Sequence, residues 1–190
     1  LSTVAVLGTA SVAANAISNT ICSFQCVPGY GLGLAIVTVV SRSVGAGSFD
    51  KARQYTKKLM KSAYLYMDGA IVLIAVLLPW ILKLYSVSAE ATEYARRIVL
   101  LHSLFGMLLW PSSFSLPQAL RAAGDIRFPL LVSTLSMWTV RVGLGILMVR
   151  CWGFGVEGIW LSMFADWLVR VIFFVPRFHG HRWETMGIRD

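Results

Sequence analysis

VEGIWLSMFADWLVRVIFFVP, residues 156–176, is an apolar run of 21 residues with Asp166 and Arg170 set four apart inside it. A helix of about 20 mainly apolar residues crosses the hydrocarbon of a bilayer, so this run is long enough to span one. Four more runs of that kind lie at about 13–40, 59–80, 98–119 and 128–149. The composition agrees with them. Of 190 residues, 57% are hydrophobic and only 14% charged, with a mean hydropathy of +0.70, whereas a soluble domain carries roughly a quarter charged residues. The chain therefore reads as an all-α integral membrane protein. The expected architecture is one transmembrane domain over residues 1–190, with five helices and, at Leu1–Leu7, the tail of a preceding one. That first stretch has neither a basic leader region nor a cleavage site, so it is not a signal peptide.

Helix punctuation separates the runs. Gly47 ends one helix and Ser48 can cap the next, Ser88 caps with Glu90 in the first turn, and Gly124-Asp125 precedes the fourth span. A net charge of +8 could suggest nucleic acid, but its distribution along the chain points to membrane topology. Arg42, Lys51, Arg53, Lys57, Lys58, Lys61, Arg121, Arg127, Arg177, Arg182 and Arg189 fall on one side, eleven in all, against four (Lys83, Arg96, Arg97 and Arg150) on the other. The positive-inside rule puts the first and third connections and the C-terminus in the cytoplasm of a multi-pass protein of the cell membrane. The basic stretch Lys51 to Lys61 either lies against anionic headgroups or serves only as this topology signal.

Within the spans, buried charges are the functional candidates. Counted at about 1.5 Å per residue from the cytoplasmic ends, Asp68 and Asp166 lie about 15 Å deep, Arg141 about 20 Å and Arg170 about 9 Å. Arg170 can snorkel to the inner headgroups and His102 to the outer ones. Asp166 is expected to neutralise Arg141, with Arg170 one turn away as the competing partner. WTVR at 138–141 and WLVR at 167–170 repeat one spacing, and each Trp could cover its Arg. In CVPGYGLGLA, residues 26–35, Pro28 removes a backbone donor, and Gly29, Gly31 and Gly33 admit two readings: close helix packing, or a hinge lining a cavity. Cys22, Cys26 and Cys151 are too scattered for a disulfide framework or a metal site. No catalytic constellation is present, so an enzyme is not expected.

Taken together, the landmarks resemble the C-terminal lobe of the multidrug and toxic compound extrusion (MATE) transporters. The segment from Gly8 to Arg53 resembles the family's small-residue stretch running into a Gly-Ala-Gly loop, PQALRAAGDIRFP its Leu-Arg-x-x-Gly-Asp loop, GVEGIW its entry to the last helix, and DWLVRVIFFVPRFHGHRW its end. The resemblance implies two six-helix lobes facing across a cleft and exporting organic cations or amphipathic compounds in exchange for protons or sodium ions. Its implied partners are the lipid bilayer, the N-terminal lobe of the same transporter and a small-molecule substrate, with no nucleic acid and no cofactor beyond the coupling ion. In family members an acid on the third helix of this set helps bind that ion. The matching stretch here, LLWPSSFSL, has no carboxylate, which leaves Asp68 as the coupling candidate, expected to face the cavity. The alternative is a flippase of the same superfamily for lipid-linked or anionic substrates, which would suit Arg141 and Arg170. A non-transporting scaffold would be expected to lack the mid-depth acids.

Overall fold

The computed structural model describes residues 8–185, and five helices account for the five runs. They are α1 (Thr9–Gly45), α2 (Phe49–Lys83), α3 (Ala89–Ala122), α4 (Arg127–Arg150) and α5 (Gly155–His179), followed by a 3-10 turn over Arg182–Thr185. No strand occurs among the described residues. Each run read from the sequence lies inside one helix, and every helix continues past it at both ends. The extension is largest in α2, where the polar approach is itself amphipathic: Ala52, Thr56, Met60 and Ala63 are buried while Lys51, Lys57, Lys58 and Lys61 are exposed. At about 1.5 Å per residue its 35 residues extend roughly 52 Å, well beyond about 30 Å of hydrocarbon. The lysine-bearing turns therefore project past the apolar layer. Leu1–Leu7, expected as the tail of an earlier span, and Arg189 lie outside the described residues.

The connections follow the turn chemistry in part. Gly47 and Gly124 take φ of 69° and 95°, conformations open to glycine without steric cost. The Ser48 N–H closes the end of α1 by donating to the Ser43 carbonyl at 2.9 Å. Ser88 caps α3 by accepting from the Ala91 N–H at 3.2 Å. Ser48, by contrast, makes no side-chain cap. Asp125 turns instead to Arg177 Nε at 2.7 Å, and the Arg177 guanidinium lies 4.7 Å from the Phe128 ring centroid. The Gly-Asp loop thus ties the third connection to the end of α5. Arg53 ties the first connection to the same place, donating to the carbonyls of His179 and Gly180 at 3.2 Å each. One end of the bundle gathers these basic anchors.

Two apolar cores stack along the bundle. One contains Ile17, Cys22, Ile71, Ile98, Trp160 and Trp167. The other contains Ile36, Val40, Leu120, Phe174, Phe178 and Trp183. Leu65, Leu73, Leu104, Leu108, Leu130 and Leu135 are exposed on the outside, the surface that hydrocarbon would cover. Between the cores, α1 passes through Gly29–Gly33, α3 through Pro111–Ser115 and α5 through Asp166–Arg170. That waist holds the candidate site.

Candidate functional site

Proline determines the geometry of the waist. Pro111 has no N–H to give, and α3 widens there into a π-helical turn over Pro111–Ser115, with the Leu116 N–H donating to the Pro111 carbonyl five residues back. The three serines of this turn each hold a different helix. Ser112 Oγ lies 2.7 Å from Tyr64 Oη on α2, Ser113 Oγ donates to the Trp167 carbonyl on α5 at 2.9 Å, and Ser115 Oγ donates to the Gly29 carbonyl on α1 at 3.0 Å. Glycine permits the last approach. A Cβ on Gly29 would stand 2.2 Å from Trp110 Cζ3, and one on Gly33 would meet Gln118 at 3.7 Å, whereas Gly31 has nothing within 4 Å. α1 runs unbroken through the half-buried Pro28. Close packing accounts for Gly29.

The charges pair differently from the sequence expectation. Asp166 is fully buried, and its Oδ1 accepts from Arg170 Nε at 3.0 Å, one turn along α5. Arg170 is also buried, 5.3 Å over the Phe114 ring, with Nη2 at 3.4 Å from the Ser133 carbonyl. It does not snorkel. The side chain of Arg141, the partner expected for Asp166, makes no hydrogen bond or ion pair among the described residues, and only its backbone carbonyl is engaged, by Ser162 Oγ at 3.0 Å. The reason is local. Residues four apart share a helix face with the acid on the favourable N-terminal side, while Arg141 sits on a second π-helical stretch, Met137–Leu144, and stays exposed. Neither Trp of the WTVR/WLVR echo covers its arginine: Trp138 is exposed, and Trp167 packs on His102 and Phe114. Asp68 is half-buried on α2, one turn from Tyr64, with Oδ1 buried and unpartnered among the described residues. It does not line the clefts described below.

His102 is not interfacial either. It is 3% exposed, with Trp160, Phe164 and Trp167 edge-on to its ring. Its hydrogen bonds fix its tautomer. Ser103 Oγ donates to the Val99 carbonyl at 2.8 Å, so it must accept from Gln25 Nε2 at 2.9 Å. Gln25 then presents Oε1 to His102 Nδ1 at 2.7 Å, and Nδ1 must carry the proton. Gln25, fully buried in an apolar run, was the signal available in the sequence, because a buried amide demands partners.

Two clefts open at the waist. One, of about 210 Å³, is lined by Gly33, Ser113, Gln118, Arg121 and Arg170 among others, and the second, of about 180 Å³, by Cys22, Cys26, His102, Arg141, Trp160 and Met163 among others. Tyr30, Trp110 and Phe114 wall both. The result is an aromatic trough with polar groups at intervals, the usual make-up of a small-molecule site.

Comparison with known proteins gives a consistent answer. The chain is 25% identical over 165 residues to a Bacillus subtilis (strain 168) protein named "Probable multidrug resistance protein YoeA", covering 87% of this chain and 35% of the relative. It is 27% identical over 191 residues to "Uncharacterized transporter YisQ" of the same organism, covering 97% and 40%. To "Probable multidrug resistance protein NorM" of Thermotoga maritima it is 23% identical over 183 residues, covering 96% and 39%. The chain thus spans about two fifths of the length of these relatives. No solved structure matches it. The profile of the MatE family covers residues 1–147, from α1 through most of α4 and including the serine-rich turn, and the chain belongs to that family.

Proposed function

We propose that this chain forms one lobe of a membrane exporter that moves small molecules by alternating access, in exchange for protons or sodium ions. The observation that carries this reading is the aromatic trough between α1, α3 and α5, walled by Tyr30, Trp110 and Phe114 inside a bundle of five spanning helices. The names of the relatives, multidrug resistance proteins among them, support it. So does the share of their length that the chain spans, since the remainder leaves room for an opposing lobe. The basic end of the bundle faces the cytoplasm by the positive-inside rule.

Two acids are available to the coupling ion. Asp68 Oδ1 and Asp166 Oδ2 are both buried without a hydrogen-bond partner among the described residues. Asp166 is committed to Arg170 through its other oxygen, so Asp68 is the freer proton or sodium acceptor. Its neighbour Tyr64 bonds the π-helical turn through Ser112, which links the acid to the trough wall. The test is efflux of two fluorescent aromatic compounds, one cationic and one anionic, from vesicles containing the full-length protein, under imposed proton and sodium gradients. Efflux should follow one of the gradients and fall at least about tenfold in Asp68→Asn, the loss of one essential proton-transfer group costing about 10²–10⁴-fold in favourable cases. Efflux indifferent to both gradients would remove the antiport reading, and a fully active Asp68→Asn would remove Asp68 from it. A flippase for anionic substrates is the second reading, favoured by the arginines in the trough.

A further inference from the structure

At the basic end of the bundle a third cleft, of about 370 Å³, opens between α2, α3 and α5. It is separate from the trough. α3 turns Ser113 and Phe114 to the trough but Ser112 and Leu116 to this groove, and α5 turns Trp167 and Arg170 to the one and Val175, Phe178 and His179 to the other. The lining is sorted along the bundle axis. Lys57 and Lys61, one turn apart on the same face of α2, stand at the mouth with His179, the last residue of α5. Met60, Leu116, Val175 and Phe178 form an apolar floor, and the hydrogen bond between Tyr64 and Ser112 at 2.7 Å closes the inner end. From Lys57 to Tyr64 the groove runs about 10 Å at helical rise. Beyond that end the same faces of α3 and α5 continue through Leu104, Leu108, Leu168 and Ile172, all of them exposed. The groove is thus apolar and continuous with the hydrocarbon-facing surface inside, and cationic at the level of the headgroups.

We infer that this groove holds an anionic phospholipid of the leaflet at the basic end, with the phosphate between Lys57 and Lys61 and the upper part of one acyl chain on Met60, Leu116, Val175 and Phe178. Basic pockets between transmembrane helices bind anionic headgroups in this way. Each lysine can lay its methylene stem along the floor while its ammonium stays at headgroup level. His179 commits its Nδ1 proton to the Val175 carbonyl at 2.8 Å, so the neutral ring offers Nε2 as an acceptor for a headgroup hydroxyl such as those of phosphatidylglycerol. A zwitterionic lipid would fill the same floor but bring a choline cation towards the lysines. Lys57 and Lys61 therefore do more than set topology. They seat a lipid against the π-helical turn of α3, because Ser112, which closes the groove, belongs to that turn. The site involves the bilayer alone and holds whether or not the transport reading does.

The test is native mass spectrometry of the full-length protein in detergent, titrated with dioleoylphosphatidylglycerol or dioleoylphosphatidylcholine. The first adduct of the anionic lipid should form at about tenfold lower concentration than that of the zwitterionic one, the order expected of two lysines at an anionic headgroup. Lys57→Gln with Lys61→Gln should abolish that preference. Lys51→Gln with Lys58→Gln removes the same charge from exposed lysines of the same stretch that do not line the groove, and should keep it. Val175→Trp fills the floor while leaving both lysines in place, and should bring binding of the anionic lipid down to the level of the zwitterionic one. Size-exclusion profiles matching the wild type show which variants fold. If the Lys57/Lys61 variant does not, the wild-type ranking of the two lipids and Val175→Trp decide. Equal affinity for the two lipids in the wild type, equal loss of preference in the two lysine pairs, or unchanged binding in a folded Val175→Trp would overturn the inference. Displacement of the lipid by millimolar sn-glycerol 3-phosphate would assign the lysines to a free phosphate and equally overturn it.

Discussion

Arg170 reaches Asp166 across a single turn of α5, Nε to Oδ1 at 3.0 Å, with both residues buried. The pair lies behind the π-helical turn of α3, whose Phe114 stacks under the guanidinium at 5.3 Å. Because the acid and the base belong to one helix, the pair survives any movement of α4, and Arg141 is left free to face the trough. A helix-internal pair therefore leaves the neighbouring Arg141 side chain without an ion pair among the described residues.

Breaking this pair should be expensive. Removing one member of a buried ion pair costs roughly 3–5 kcal/mol, because the other charge is stranded, while removing both can be nearly neutral. In the full-length protein, Asp166→Asn and Arg170→Leu are each expected to lower the thermal midpoint and the yield of folded material. The double variant Asp166→Asn with Arg170→Leu should recover most of the loss. Asp166→Asn with Arg141→Leu should not, and recovery in that combination would show that Arg141 is the true partner.

Gly29 makes a second prediction by contrast with Gly31. An added methyl at Gly29 would sit 2.2 Å from Trp110 Cζ3, and the indole has little room to give: it is 3% exposed and stacked on Phe114 at 5.0 Å. Overpacking of this sort costs about 1–3 kcal/mol. Gly31→Ala meets nothing within 4 Å and should be neutral or gain up to about 1 kcal/mol from helix propensity. Thermal midpoints of the two variants in detergent should therefore move apart, Gly29→Ala down and Gly31→Ala level or up. Equal shifts would mean that α1 and α3 do not approach as closely as the glycine implies.

How far the sequence could lead is visible in these same residues. The five spans were legible because about 20 apolar residues between polar stretches leave a helix little alternative in a bilayer. The gathering of basic residues at one end was legible because the first and third connections and the tail after the fifth span fall at the same end of an up-and-down bundle. Gly29 was ambiguous, since small residues serve hinges and close contacts alike, and only the position of Trp110 decides between them. The partner of Asp166 was misassigned because depth counted along a straight helix ignores azimuth: Arg141 lies at a compatible depth but on the exposed side of a widened turn. His102 was misplaced for a related reason. Its distance from the helix end suggested a headgroup position, and the polar partner that holds it inside, Gln25, lies 77 residues away. The serines of PSSFS carry no charge and so gave no signal, yet they fasten α3 to three neighbours.

The last prediction concerns the clasp beyond α5, which is outside the spans and so can be titrated in water. Glu184 meets Arg53 through a charged hydrogen bond and His181 Nδ1 at 2.9 Å, and the Arg53 guanidinium lies 5.6 Å from the ring of Trp183, which stacks on Phe178. Partial burial alone would raise the Glu184 carboxyl, but the hydrogen bonds from His181 and Arg53 outweigh it and hold the group below the usual carboxylate range. A carboxyl whose folded pKa is depressed stabilises the fold above its unfolded value of about 4.3, and that contribution disappears as pH falls through the lower folded value. The wild type should therefore exceed Glu184→Gln by about 1 kcal/mol at neutral pH, the upper range for a partly exposed pair. The gap should close as pH falls below about 4, read as the difference in thermal midpoint between the two full-length proteins across a pH series. A gap that persists unchanged at low pH would mean that packing of Trp183 on Phe178, rather than the carboxylate, holds the clasp shut.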